Sequence, residues 1–211
     1  GVLYLTHGLK RFKALRRLTL DLPSGITDRG LFYLAKGLPN LNSLQKIYFR
    51  FCYCAQFTDA GLVPLSQALK KLILVKRIQL QFLHLDQAVA AEKGVKKLNG
   101  SFNRLSRLES ITLPESFNMS DQSLSRMNFK RLASLEKVYF VFSKSPKLTD
   151  IGICFLAKAL NRLPNLQRIT LKFWECPEIG DLGLHYIWKM MKGLTGLQKI
   201  SLQFSHCLKI T

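Results

Sequence analysis

The sequence predicts an α/β fold: a right-handed solenoid of strand–turn–helix repeats, with a parallel sheet on the concave face and helices on the convex face. Two patterns predict it. A short strand block recurs at a spacing of about 30 residues, and most copies are followed by a block with helical spacing. Strands joined through helices become parallel neighbours with right-handed crossovers, and repeats stacked in this way form a solenoid.

The strand block has the form Leu-x-x-Leu/Ile/Val-x-Leu/Phe, and seven copies start at residues 15, 44, 75, 108, 135, 166 and 197. Their starts are 29, 31, 33, 27, 31 and 31 residues apart. Apolar and polar residues alternate at a period of two, which is typical of a strand with one buried face. We expect positions 4, 6 and 8 of each block to point into the core and positions 3, 5 and 7 to be exposed.

The helix block occurs at residues 26–38, 57–69, 148–160 and 179–191. Each copy has an aspartate, a glycine two residues later, and then apolar residues at i, i+3 and i+7. An aspartate at a helix start accepts backbone N–H bonds and stabilises the helix by about 1 kcal/mol. The predicted N-caps are therefore Asp28, Asp59, Asp150 and Asp181.

The repeats are irregular between residues 83 and 134. The third copy lacks the aspartate–glycine block, although Asp86 is a candidate helix cap, and in the fourth and shortest copy Pro114 interrupts the strand end. Repeat drift explains this, and so does a local bend or a partner-specific loop. We interpret residues 1–211 as one array. Neither end shows a polar capping repeat, so we expect a fragment of a longer chain or larger complex, with apolar end repeats covered by more chain or by a partner.

The combined pattern LxxLxLxF…ITDxGLxxLAxxL resembles the leucine-rich repeat over nearly the whole chain, specifically its ribonuclease-inhibitor-like and cysteine-containing subclasses. It departs from the cysteine-containing type in one respect. The cysteine comes five residues after the second strand leucine rather than three, as from Leu171 to Cys176. Each strand is thus extended by one inward phenylalanine, a form that resembles arrays in large protist proteins. The resemblance implies a protein–protein interaction scaffold.

Cys54, Cys176 and Cys207 each follow a strand phenylalanine by three residues. This register predicts a ladder of buried, unpaired thiols. Cys52 and Cys154 have no ligand set, and no zinc-type spacing occurs, so we predict no metal site. Thinly spread cysteines favour a reducing compartment, which predicts an intracellular protein, cytoplasmic or nuclear. No apolar run reaches the roughly 18 residues of a membrane span.

Motifs of catalysis are absent from the sequence. It contains no glycine-rich phosphate loop, no HExxH and no GxSxG, and its four histidines are scattered without paired carboxylates. We therefore predict neither enzymatic activity nor a cofactor in this segment.

Basic residues greatly outnumber acidic ones, with 32 Lys and Arg against 13 Asp and Glu and a net charge of +19. Such a balance favours polyanionic partners. The third position of the strand block is basic in six of seven copies, and only Ser110 breaks the series. Together with cations in helix tails, these residues predict one strongly positive edge. The series consists of Arg17, Lys46, Arg77, Lys137, Arg168 and Lys199.

Aromatic residues add to the predicted binding face. Tyr48 and Tyr139 occupy position 5, Arg50 and Lys172 occupy position 7, and Trp174 lies at a strand exit. Exposed aromatics among cations suit protein hot spots or base stacking. Three hypotheses follow: a non-catalytic scaffold that binds an acidic protein, a module bound to RNA or another polyanion within a larger assembly, or the regulatory array of a larger enzyme.

Overall fold

Strands and helices alternate along the chain, as the two sequence blocks predict. The computed structural model describes residues 1–22, 25–52, 57–83, 92–117, 119–125, 127 and 129–211. Within these residues the chain has seven parallel strands and seven α-helices, which confirms the predicted α/β class. The chain divides into two compact units, Gly1–Leu108 and Glu109–Thr211.

The first unit begins with a helix that precedes its first strand. Its three strands follow chain order, and each pairs in parallel with the next. Its elements are α1 (Val2–Leu9), β1 (Arg17–Leu22), α2 (Asp28–Gly37), a 3-10 turn (Leu38–Asn40), β2 (Lys46–Cys52), α3 (Asp59–Leu69), β3 (Arg77–Leu83) and α4 (Glu92–Phe102).

The second unit has four strands in chain order, again all parallel. Its elements are β4 (Ser110–Phe117), α5 (Asp121–Ser125), β5 (Lys137–Ser143), α6 (Asp150–Leu160), β6 (Arg168–Trp174), α7 (Asp181–Gly193) and β7 (Lys199–Ser205). The expected interruption of β4 at Pro114 is wrong. The strand continues to Phe117, and the irregularity is a register shift against β5 between Thr112 and Glu115. A proline removes one ladder donor, which a shifted register accommodates. The proposed cap Asp86 lies outside the described residues.

Apolar residues at positions 4, 6 and 8 of the strands form the core, as the period of two predicts. Phe51 of β2 is fully buried, and so are Phe142 and Phe173 of β5 and β6. In the second unit the rings of Phe142, Phe173 and Phe204 stack at centroid distances of 5.2 and 5.0 Å. Burial of such a side chain contributes about 1.5–3 kcal/mol to folding, so the added phenylalanine stabilises the packing of each strand against the core.

The helix starts differ from the prediction by one residue. The N-cap is Thr27 in α2, Thr58 in α3, Thr149 in α6 and Gly180 in α7, and each predicted aspartate, Asp181 included, is the first residue of its helix. The hydroxyl of Thr58 accepts from the N–H of Ala60, and that of Thr149 accepts from the N–H of Ile151, both at 3.1 Å. Threonine and aspartate are both good N-caps, and here the threonine takes that place.

The aspartates instead bind the following repeat. Asp28 accepts from the N–H and the hydroxyl of Thr58, and Asp121 accepts from the same two groups of Thr149. Three further aspartates make bonds of this kind: Asp59 accepts from Gly94 N–H, Asp150 from Gly180 and Gly183 N–H, and Asp181 from the N–H and hydroxyl of Thr211. A charged acceptor makes each bond stronger than a neutral one. The aspartates therefore join successive repeats.

The glycine two residues after each aspartate makes room for this contact. A Cβ at Gly183 would lie 2.6 Å from Asp150 Oδ1, and a Cβ at Gly61 or Gly152 would also overlap the preceding aspartate. At Gly30 none of the nearest atoms belongs to an aspartate of another repeat, and the closest is an Ile26 methyl at 3.1 Å. The Thr-Asp-x-Gly sequence thus joins successive repeats: the threonine donates, the aspartate of the preceding repeat accepts, and the glycine leaves space for that aspartate.

Candidate protein-interaction surface

The first unit carries three cations in register. Arg17 pairs with Lys46 and Lys46 with Arg77 across β1, β2 and β3. Arg17 and Arg77 are exposed and Lys46 is half-buried, while the next residue of each strand is buried. Parallel strands lie about 4.8 Å apart, so the three side chains form a row across the sheet. We call Arg17, Lys46 and Arg77 the first basic row.

The second unit repeats this arrangement. Lys137 pairs with Arg168 and Arg168 with Lys199, while Ser110 of β4 pairs with Lys137. Arg168 and Lys199 are exposed and Lys137 is half-buried. We call Lys137, Arg168 and Lys199 the second basic row. Like charges about 4 Å apart repel by about 1 kcal/mol even in water. An anion lying along either row would relieve that repulsion.

Tyr48 borders a cavity of about 260 Å³ on the sheet face of the first unit. Arg50 also lines it, but its guanidinium pairs with the carboxylate of Asp21. The hydrogen bond from Arg50 holds the pKa of Asp21 below its usual value. Arg50 is therefore engaged by an acidic neighbour, which the sequence analysis did not anticipate. Gln79 and Gln81 of β3 also line this cavity from strand positions 5 and 7, and they were not among the predicted site residues.

Tyr139 and Lys172 come together on the sheet face of the second unit. The Lys172 ammonium lies 5.7 Å from the Tyr139 ring centroid, and Tyr139 is 36% exposed. A cation over a ring at an exposed site contributes about 0.5–1 kcal/mol. The predicted aromatic Tyr139 and its predicted cationic neighbour Lys172 thus form one pair on this face.

Trp174 is half-exposed at the end of β6 and borders a turn that recurs in three repeats. Lys144, Glu175 and His206 occupy this turn with positive φ of 46°, 53° and 56°. Their side chains line a groove of about 680 Å³ together with Pro146, Pro177 and Leu208. This groove was not predicted, although its polar residues recur in the sequence two positions after each strand phenylalanine.

Cations also occur at the helix C-termini. In the second unit six of them are exposed in helix ends or the turns that follow: Lys130, Arg131, Lys158, Arg162, Lys189 and Lys192. The aspartates of that unit start the same helices. Positive and negative charge are therefore separated along the helix direction. Cations at a helix C-terminus also offset the helix dipole, at about 0.3–1 kcal/mol each.

Cys176 and Cys207 are buried free thiols, as the strand register predicts. Burial raises the pKa of Cys176 to about 12 and also raises that of Cys207. Ser145 holds the equivalent place one repeat earlier, buried, and its hydroxyl donates to the Ser143 carbonyl at 2.9 Å. Cys54 and the side chain of Cys52 lie outside the described residues. Among the residues that the structure describes, no cluster of three His, Cys, Asp or Glu side chains is placed to hold a metal.

Comparison of the sequence with models of known protein families and with curated proteins finds no match. In the described ranges, no helix has the length and apolar character needed to cross a membrane.

Proposed function

We propose that this chain is a non-catalytic protein–protein interaction scaffold of the leucine-rich-repeat type, built as a right-handed solenoid. Its binding surface is the exposed face of the parallel strands together with the basic edge, and its partner presents an acidic surface. The buried free thiols Cys176 and Cys207 favour a reducing intracellular location. The repeat length, the strand–helix alternation and the aspartate contacts between repeats support the solenoid.

The observation that carries the proposal is the alignment of cations by strand register. Cations at helix ends have a structural explanation, because they offset the helix dipole. This explanation does not apply to Arg168 and Lys199, since they begin their strands on the exposed face and have like-charged neighbours. Like charges directly opposite one another destabilise a sheet. Such a pair is better explained by an external anion than by stability.

The test compares two variants with equal loss of charge. The first replaces Lys137, Arg168 and Lys199 with glutamine. The control replaces Arg29, Lys144 and Lys147, which lie at a helix start and after a strand end. Fluorescence anisotropy measures binding of a labelled polyglutamate peptide at several salt concentrations. We expect the row variant to weaken binding and flatten its salt dependence, and the control to change both much less, because only the row concentrates charge in register.

A parallel titration with a labelled oligouridylate tests the nucleic-acid alternative, which the exposed Tyr139 and Trp174 favour as stacking platforms. Each phosphate contact to a single strand contributes about 0.7 to the log–log salt slope, so loss of three contacts would reduce the slope by about 2. If only the oligouridylate binds and loses this slope in the row variant, the chain is an RNA-binding module. If the row variant and the control bind both probes alike, the rows are a solvated face and the proposal is wrong.

A further inference from the structure

A second candidate site lies away from the strands, between helices α6 and α7. The two helices enclose a groove of about 320 Å³, a volume at the lower end of ligand pockets in general. Ala157 and Met190 are buried and form its floor, and the half-buried Cys154 lines it beside them. The groove is therefore apolar at its base.

Two lysines give the rim of this groove a positive charge. Lys158 and Lys189 are exposed, and neither forms an ion pair within the part of the chain that the structure describes. Asn161 and Tyr186 complete the lining, and no acidic residue belongs to it. An apolar base under two unpaired cations is complementary to an apolar group attached to an acidic segment.

The same chain contains a second copy of this helix pair, 122 residues earlier. The α2–α3 pair matches the α6–α7 pair at this offset, because Asp28 and Asp59 correspond to Asp150 and Asp181. Ala157 and Lys158 have identical counterparts in Ala35 and Lys36. Cys154 does not: its counterpart is Phe32.

In α2, the lysine that corresponds to Lys158 contacts the ring of Phe32. The Lys36 ammonium lies 4.4 Å from the Phe32 ring centroid, a cation–π contact across one helical turn. In α7, Lys192 and Trp188 make the same kind of contact at 3.9 Å. Lysine and aromatic are four residues apart in both cases. In α6 the lysine is retained as Lys158, but a small thiol replaces the ring.

We propose that the groove between α6 and α7 binds an aromatic side chain carried on an acidic segment of a partner protein. The ring lies on Ala157 and Met190, in the space that Cys154 leaves, under the Lys158 ammonium. Flanking carboxylates pair with Lys158 and Lys189. This site is independent of the basic rows and extends the proposed scaffold to a second surface with its own partner chemistry.

The test uses a labelled peptide of eight glutamates around one central tryptophan, and a matched peptide with alanine in place of tryptophan. We expect the tryptophan peptide to bind the wild-type chain about tenfold more tightly, because burial of the ring and its cation–π contact contribute at least about 1.4 kcal/mol together. Cys154→Phe introduces the residue that α2 carries and should abolish the preference. Lys158→Gln should weaken it. Binding of the tryptophan peptide should also slow alkylation of Cys154 by iodoacetamide.

Three results would overturn the proposal: equal affinity of the two peptides, an undiminished preference in Cys154→Phe, or unchanged alkylation of Cys154 at saturation. If Cys154→Phe does not fold, attachment of N-ethylmaleimide to Cys154 of the folded wild type fills the groove and must abolish the preference. The variant that lacks the second basic row separates the two surfaces. It should retain the tryptophan preference even where polyglutamate binding is lost.

Discussion

Asp121 accepts two hydrogen bonds from Thr149, one from its backbone N–H at 2.8 Å and one from its hydroxyl at 2.7 Å. The same hydroxyl accepts from the N–H of Ile151. One threonine therefore caps its own helix and binds the aspartate that begins the preceding one. Because this contact joins one repeat to the next, its loss should affect the unit as a whole rather than one helix end.

We expect Asp121→Ala to lower the free energy of unfolding by about 1–3 kcal/mol, the range for loss of a hydrogen-bonded charged acceptor. Urea denaturation followed by circular dichroism measures it. Gln122→Ala on the same short helix is the control, since Gln122 is exposed and its side chain forms no hydrogen bond among the described residues. If both variants lose equal stability, the contact between repeats contributes nothing beyond helix propensity.

The glycine that faces an aspartate should resist substitution. Alanine normally stabilises a helix by about 1 kcal/mol relative to glycine, but at Gly183 its Cβ would lie 2.6 Å from Asp150 Oδ1. We expect Gly183→Ala to lower the melting temperature and Gly30→Ala, whose Cβ would meet only side-chain carbons of Ile26 and Val2, to change it little. In an Asp150→Ala background the cost of Gly183→Ala should shrink, and a double-mutant cycle measures that coupling. An unchanged cost would show that the aspartate is not the obstacle.

The strand register and the repeat could be predicted because both depend on side-chain period alone. Arg168 is exposed and Ile169 is buried because successive side chains of a strand point to opposite faces of the sheet. The sequence could not show that Thr149 rather than Asp150 is the N-cap, since both residue types favour a helix start. The bonds that hold these two side chains come from other repeats: Thr149 donates to Asp121, and Gly180 donates to Asp150. A contact 28 or 30 residues away has no local signal in the sequence.

Asp181 should titrate at an unusually low pH. The hydroxyl and the N–H of Thr211 both donate to its carboxylate and lower its pKa. A depressed pKa in the folded state stabilises the fold above the unfolded pKa of about 3.9, and this contribution is lost as pH falls through the folded value. Carboxylate chemical shifts in NMR measure this pKa directly. Thr211→Ala removes the hydroxyl donor, so it should raise the pKa of Asp181 and leave that of Asp21 unchanged.

The groove between α6 and α7 was beyond prediction for a different reason. The sequence predicts a helix around Cys154, but the groove depends on which side chains of α6 and α7 lie side by side in the packed structure. Arg50 illustrates the same point, because its pairing with Asp21 depends on the alignment of two strands. The alternation of side chains along a strand predicts which residues face outward, and only the packed structure shows which of them contact one another.

The thiols should differ sharply in reactivity. Cys176 is buried, and its pKa is raised to about 12, whereas Cys154 is half-exposed in the α6–α7 groove. The thiolate is the reactive form. Compared with an ordinary thiol of pKa about 8.5, Cys176 at pH 8 has on the order of 10³-fold less thiolate in the folded state. Iodoacetamide at pH 8 should therefore modify Cys154 long before Cys176, as site-resolved mass spectrometry would show.

The control is the same reaction in urea, where unfolding should make Cys154 and Cys176 equally reactive.

The raised pKa of Cys176 in the folded chain also has a consequence for stability. A thiol whose pKa is raised by folding binds its proton more tightly in the folded chain, so its contribution is complete below pH of about 8.5 and declines as the pH rises above that value. The stability difference between wild type and Cys176→Ala should therefore shrink in alkaline solution. Fast alkylation of Cys176 in the folded chain, or a constant difference from pH 7 to 10, would contradict its burial in the core.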